Sequence, residues 1–231
     1  MKINILHMID GARKAQGVTV IIDVFRAYSL EAYLLASGAK QIIPVADAKL
    51  AYKLKEENPD MILAGERHGA ILPGFDMGNS PSQLENIDVQ GKTVIHTTSA
   101  GTQGIENAIH ADEILGGSLL NAKATAEYIR KQNPEQVSLV CMGLEAISQT
   151  EEDNLCAEYI KSLLEGTEES IDMEAEIENL KVTSGAKFFD KAQNDVFPRD
   201  DFFMCTQVDK FDFVLRLEKA ENGLGYMKKV L

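Results

Sequence analysis

Apolar residues are spread along this chain in two rhythms. Short apolar runs bounded by glycine, proline or polar turn residues recur at residues 3–9, 19–22, 41–45, 61–64, 93–97, 111–117 and 136–142. Runs of that length predict strands. Between them, apolar positions three and four apart predict helices over 29–37, 47–57, 122–132 and from 151 to about 164. Ser29 and Asn121 stand at the helix starts as caps, and Gly38, Pro59 and Pro134 act as stops. Residues 200–207 read as a further helix, and 211–218 as a closing strand with alternating Phe, Phe, Leu and Leu. Residues 168–180 are acidic and weakly periodic, which leaves a rim helix and a mobile insertion both open. Strands alternating with helices predict an α/β chain, a three-layer α/β/α fold around a mixed, largely parallel sheet.

Two places break the pattern. The strand at 19–22 runs straight into Asp23 and Arg26, an acid and a base just past its carboxyl end, where open parallel sheets bind ligands. Residues 65–81 then hold four glycines and two prolines with almost no periodicity, an uncommonly long loop of the kind that is more often functional than idle. The loop closes on Ser80, Pro81 and Gln83, which read as N-cap, first helical residue and capping-box partner. It would thus deliver Asn79 and Ser80 to a helix N-terminus, a natural anion site.

A weak repeat is also visible. Residues 93–102 can be laid on 19–28, and 111–116 on 39–44, which suggests two related strand-turn-helix-strand units. We expect one domain over 1–231, with subdomains of about 1–90 and 91–231 as the other division.

Charge narrows the partners. The net charge is −13, and residues 145–181 alone carry twelve acidic side chains against two basic ones. This argues against nucleic acid and anionic membranes. No apolar run approaches the roughly 20 residues of a membrane span, and the opening MKINILHMIDGARK is too short and interrupted for a secretory signal. A cytoplasmic protein is the expectation. Cys141, Cys156 and Cys205 are odd in number and far apart, as reduced core residues would be.

Asp23, Glu66, Asp76, Glu152 and Asp153 all fall at predicted strand ends or loops, an oxygen-rich set suited to Mg²⁺. His7, His68, His96 and His110 show no zinc spacing. Arg26 and Arg67 are the best anion clamps, since a guanidinium binds phosphate bidentately. Thr97, Thr98 and Ser99 add hydroxyls before a helix start near Gly101. Together these make a phosphoester site by chemical logic. Each residue also has a structural reading: Thr97 to Ser99 as caps, Arg67 as a partner of Glu66, Glu152 as complement to a helix dipole. No P-loop, G-x-G-x-x-G, D-x-D phosphatase pair or G-x-S-x-G elbow occurs.

The motifs D-V-x-R-A at Asp23 to Ala27, G-E-R-x-G at Gly65 to Gly69, G-F-D-x-G-N-S-P at Gly74 to Pro81, Thr97-Thr98, Gly101-Thr102 and Glu152-Asp153 resemble those of the 2-phosphosulfolactate phosphatase family. The likeness continues into the closing stretch Asp201 to Asp212. It implies an α/β/α layered, Mg²⁺-dependent phosphatase that converts 2-phospho-3-sulfolactate to 3-sulfolactate on the route to coenzyme M. It implies that Asp23, Glu66, Asp76, Glu152 and Asp153 are metal ligands or acid/base groups, and that Arg26, Arg67, Asn79, Ser80, Thr97 and Thr98 face the substrate; Ser99 joins the substrate-binding candidates through its own hydroxyl. Asp23, Arg26, Glu66 and Arg67 become the catalytic candidates, a small anionic phosphoester the partner, and a homodimer an open expectation.

The chain also departs from the pattern. Tyr28 replaces a small hydroxyl residue, and Ser99-Ala100-Gly101-Thr102-Gln103 replaces a turn with an amide and an arginine. Losing a cation should cost about 1–3 kcal/mol per charge-assisted bond, which points toward a less anionic phosphoester. A non-catalytic anion-binding protein, and an Mg²⁺-dependent lyase or transferase, are the competing classes.

Overall fold

A computed structural model describes residues 1–221 and 223–231. The chain opens with β1 (Lys2–His7), α1 (Met8–Lys14), β2 (Gly17–Ile22), α2 (Ala27–Ala36), β3 (Gln41–Pro44) and α3 (Ala48–Glu57). Next come β4 (Ile62–Arg67), β5 (Ala70–Ile71), β6 (Thr93–Thr97), α4 (Gly101–Asn107), β7 (Ala111–Gly117), α5 (Ala122–Gln132) and β8 (Gln136–Cys141). The last part holds α6 (Glu151–Glu165), α7 (Met173–Leu180), α8 (Arg199–Cys205), β9 (Val214–Lys219) and β10 (Gly225–Val230). Among the described residues ten strands join one mixed sheet in the order β1-β8-β2-β7-β9-β10-β3-β6-β4-β5.

The β-branched run of β2 lies at the centre of a parallel block, β1-β8-β2-β7, and is covered on both faces. Its side chains alternate: Val18, Val20 and Ile22 pack with Ala126, Ile129, Cys156 and Ile160 of α5 and α6, whereas Ile21 joins Ala12, Leu30 and Leu34 of α1 and α2. Two helical layers on a largely parallel sheet result, as the pattern predicts. The three cysteines are buried and free. No helix among the described residues is long and apolar enough to cross a membrane.

A second parallel block, β3-β6-β4, runs opposite to the first, and the antiparallel hairpin β9–β10 joins the two. Strands from either side of residue 90 therefore alternate in one sheet, β2 beside β7 and β3 beside β6. A flat sheet would place the carboxyl ends of the two blocks on opposite edges, so the sheet must twist and curl for the loops after β2, β4 and β6 to meet. They do meet. Both β2-α2-β3 and β6-α4-β7 have the strand-turn-helix-strand order, and their turns touch: Tyr28 Oη donates to Gly101 O at 2.9 Å. Gly101 is required there, because a Cβ would lie 2.7 Å from Ala27 Cβ and 3.0 Å from Asp23 Oδ2.

Several elements differ from expectation. The first strand stops at His7 rather than Ile9, and Met8, with φ +57°, turns the chain into α1, a helix the pattern does not announce. Ser29 lies inside α2 and its hydroxyl donates to Val24 O, while Asp23 Oδ1 takes the Ala27 N–H at the helix start. Asn121 precedes α5 but accepts from Ser118 N. Gly65, Glu66 and Arg67 belong to β4, and β5 folds back on them as a hairpin inside the long loop. The acidic stretch forms α7, capped by Asp172 on Ala175 N.

Candidate active site

The loops after β2, β4, β6 and β8 close around a cavity of about 80 Å³. Its acids are Asp23, Glu66, Glu145 and Glu152 and its cations Arg26 and Lys187, with Asn79, Ser99, His68, Phe25 and Phe197 among the other wall residues. A far larger groove, about 1310 Å³, lies by the amino ends of β2, β7 and β8. Size is a poor guide here: that groove is broad and open, and its Arg216 is already paired with Glu113 and Glu218. The acids and cations that the sequence singled out gather at the small cavity.

Asp23 is buried, and one oxygen accepts from Ala27 N at 3.1 Å. Burial pushes its pKa up to about 6; the Ala27 N–H opposes this, and the charges of Glu66 and Glu152 add to it. Glu152 is also shifted up by burial, against the pull of Lys187, and its buried Oε2 has no hydrogen-bond partner among the described residues. Burial lowers the Lys187 pKa, with Glu152 pulling the other way. The Lys187 ammonium lies 5.2 Å from the Phe197 ring centre and 5.5 Å from that of Phe188. Arg26 faces the same two rings and is held by Asp201, Nη1 to Oδ2 at 2.6 Å.

The other acids are more committed. Glu66 accepts from Ser99 N at 2.6 Å, Gly69 N at 2.7 Å and the Ser99 hydroxyl at 3.2 Å. Asp153 ties the β2 and β8 ends together, accepting from Val24 N and Gly143 N at 2.8 Å each. Its pKa is raised, first by burial and then by Glu152 and Asp23. Among the described residues no three acidic, cysteine or histidine side chains converge closely enough to hold a metal by themselves. Even so, the donor set suits Mg²⁺. That ion keeps several waters and takes one or two carboxylates, and Asp23 and the unpartnered oxygen of Glu152 are of that kind.

Other residues singled out in the sequence stand outside the cavity. Asp76 is 42% exposed and bonds Leu63 N at 2.8 Å and Lys55 Nζ at 3.3 Å. Arg67 donates to Glu66 O, Ala46 O and Thr97 Oγ1, so it clasps the backbone. Thr98 and Thr102 exchange backbone-to-hydroxyl bonds at 3.1 and 3.2 Å, which ties the end of β6 to the first turn of α4. Ser80 donates to Asp201 Oδ1 at 2.9 Å and Gln83 accepts from Gly78 N, so the expected capping box does not form; Pro81–Asn86 is a 3₁₀ turn. The structure thus gathers Asp23, Arg26, Glu66, Asn79, Ser99 and Glu152, and sets Asp76, Arg67, Ser80, Thr97, Thr98 and Asp153 to hold the loops.

Lys187 and Asp201 are the residues that motif reasoning overlooked as chemistry. Asp201 lies at the start of the closing stretch and could have been weighed as a partner for Arg26. Lys187, flanked by Phe188 and Phe189, gave only the hint of a lysine amid aromatics. Neither Tyr28 nor Gln103 lines the cavity. Tyr28 is 1% exposed with its ring against Gly116, where a Cβ would come within 2.5 Å, and Gln103 reaches Ala46 O. Tyr28→Phe is therefore expected to cost about 1 kcal/mol for the lost hydrogen bond, read by urea denaturation, and to leave the relative use of different phosphoesters unchanged.

Comparisons with known proteins bear on this site. The pattern of the family described as 2-phosphosulpholactate phosphatase matches residues 4–220. A Bacillus subtilis (strain 168) protein named probable 2-phosphosulfolactate phosphatase is 32% identical over 216 residues, 93% of this chain and 92% of its own. Proteins with the same name from Caldicellulosiruptor saccharolyticus and Carboxydothermus hydrogenoformans are 43% identical over 148 residues and 40% over 166. Those two matches span 62% and 71% of this chain, and 61% and 68% of the relatives.

Proposed function

We propose, from the premise that this chain belongs to the 2-phosphosulfolactate phosphatase family of phosphoric monoester hydrolases, that it is a cytoplasmic, Mg²⁺-dependent phosphatase. Its substrate is 2-phospho-3-sulfolactate or a close relative, and its product 3-sulfolactate, on the route to coenzyme M. One observation carries the reading: carboxylates and cations from loops far apart in sequence share one cavity, Asp23, Glu66 and Glu152 with Arg26 and Lys187. A site built only to bind an anion has no use for three acids beside it.

Asp23 and Glu152 would hold the ion, with Glu66 fixing the Ser99 turn beside it. When bound, Mg²⁺ supplies Lewis-acid polarisation of a phosphoryl oxygen. Arg26 and Lys187 bind the remaining phosphoryl oxygens, and the aromatic walls exclude water from the back of the cavity. In hydrolysis the bond from phosphorus to the substrate's C2 oxygen breaks, water supplies the new P–O bond, and a proton ends on the leaving oxygen. Held as a ligand, Asp23 would be ionised and its raised metal-free pKa no longer in force, so the proton that ends on the leaving oxygen is the one released by the attacking water. Since Tyr28 and Gln103 lie off the cavity wall, they give no reason for a less anionic substrate.

The test of this function is phosphate release across a panel of phosphoesters with Mg²⁺ and with EDTA. Release that EDTA abolishes supports it; tight phosphate binding without turnover would favour the anion-binding alternative. A second expectation concerns pH. Because the Asp23 pKa is raised on folding from 3.8 to about 6, the metal-free protein binds its proton more tightly than the unfolded chain. Stability from this group is therefore full below pH 4 and falls as pH rises through about 6, by on the order of 3 kcal/mol. Mg²⁺ should offset that loss, so it should raise the Tm more at pH 7.5 than at pH 5 in a thermal melt. An equal shift at both would count against Asp23 as a ligand.

A further inference from the structure

Behind the cavity lies a polar chain that no part of the proposed chemistry uses. His96 of β6 and Glu31 of α2 are both 0% exposed, with His96 Nδ1 2.8 Å from Glu31 Oε1. The other ring nitrogen, Nε2, lies 3.2 Å from Asn79 Oδ1. Asn79 is 5% exposed and lines the cavity. The second oxygen of Glu31 is buried with no partner among the described residues. A buried carboxylate left half-satisfied costs stability, so the fold alone gives little reason to keep it there.

A carboxamide has two ends of opposite hydrogen-bonding sense. With Oδ1 turned to His96, the Asn79 NH₂ is left for the cavity, and it has no acceptor among the described residues. That arrangement requires a proton on His96 Nε2. A bare Nε2 would attract the NH₂ instead and turn the Asn79 oxygen, with its lone pairs, toward an incoming anion. With Nδ1 against Glu31 Oε1, a proton on Nε2 makes the pair either an imidazolium beside a carboxylate or a neutral ring accepting from a protonated Glu31, since a neutral ring donating from Nδ1 would leave Nε2 bare.

We propose that Glu31 and His96 are positioning residues that fix the Asn79 carboxamide with its NH₂ toward the cavity, as a hydrogen-bond donor to a phosphoryl oxygen. The inference rests on the reading that the cavity takes a phosphoryl group. Neither Glu31 nor His96 reaches the cavity itself, so both act through Asn79. The neighbouring residue shares the support, since Ser80 is tied to Asp201 and thereby to Arg26. One buried network thus sets both an amide and a guanidinium against the same anion.

Two measurements decide it. In ¹⁵N-histidine NMR of the intact protein, His96 Nε2 is expected to carry a proton; a bare Nε2 would overturn the proposal. In calorimetry with inorganic phosphate and Mg²⁺, Asn79→Ala and His96→Phe should each weaken binding by roughly 10- to 100-fold, the loss of one charge-assisted bond. The double variant should bind no worse than His96→Phe, and His96→Gln, whose amide can still donate to Asn79 Oδ1, should recover most of the affinity. A folded His96→Phe protein with unchanged phosphate affinity, or single effects that multiply, would sink the idea. Should His96→Phe fail to fold, His96→Gln against Asn79→Ala and the NMR result still decide. Failure of the phosphatase reading looks different: the unaltered protein would neither bind phosphate nor release it from any ester.

Discussion

Asp23→Asn should lose phosphate release by about 10²-fold or more, since changes in the shell around metal ligands alone cost up to that much, and yet melt no lower than the unaltered protein. The first half follows from the position of Asp23, buried at the end of β2 beside Glu66 and Glu152 in the cavity. The second follows from its pKa. An acid held up to about 6 by burial is ionised at pH 7.5 at a cost to the fold, and asparagine removes that cost. Asparagine keeps an oxygen for Ala27 N but sets an NH₂ toward the Gly101 backbone, so the gain should stay below the on-the-order-of 3 kcal/mol that the pKa alone implies. Steady-state assay and a metal-free melt at pH 7.5 check the pair. Retained activity with a lowered Tm would make Asp23 a structural residue.

The largest loss of stability should come from Asp201→Ala. That carboxylate is 0% exposed and accepts from Arg26 Nη1 at 2.6 Å, and from the Ser80 hydroxyl and Ser82 N at 2.9 Å each. Its removal leaves a buried guanidinium unpaired, which costs about 3–5 kcal/mol, or roughly 10 °C in Tm for a chain of this size. Activity should fall as well, because Arg26 loses its anchor beside Phe188 and Phe197. Asp201→Asn, which can still accept from Arg26, should lie between. A chemical denaturation curve shifted by less than about 1 kcal/mol would show that Arg26 has other support.

The central strands were legible because each is buried on both faces, and an unbroken β-branched run such as Val20-Ile21-Ile22 has few other uses. α1 was hidden because Met8 bends the chain by adopting a positive φ, which no side-chain pattern announces. β10 was hidden because Gly225, Lys228 and Lys229 carry too little apolar signal, and its pairing with β9 and β3 supplies what its sequence does not. At the site, Asp23 and Arg26 stood out as charges that interrupt a buried strand. Asp201 and Lys187 did not, since only the tertiary fold brings α8 and the 186–189 turn to the end of β2. The motif residues Arg67, Thr97, Thr98, Asp76 and Ser80 show the opposite effect: a distinctive motif here specifies how the loops are held as much as what they hold. The curl of the sheet, which brings the ends of two opposed blocks together, has no local signature at all.

The central claim is that this cavity hydrolyses a phosphoester with carboxylate-held Mg²⁺, and one measurement addresses it most directly: phosphate released from 2-phospho-3-sulfolactate by the purified protein, with Mg²⁺ and then with excess EDTA. The expected result is steady turnover with Mg²⁺ that EDTA abolishes and added Mg²⁺ restores. No release under either condition, or release indifferent to EDTA, would contradict the account.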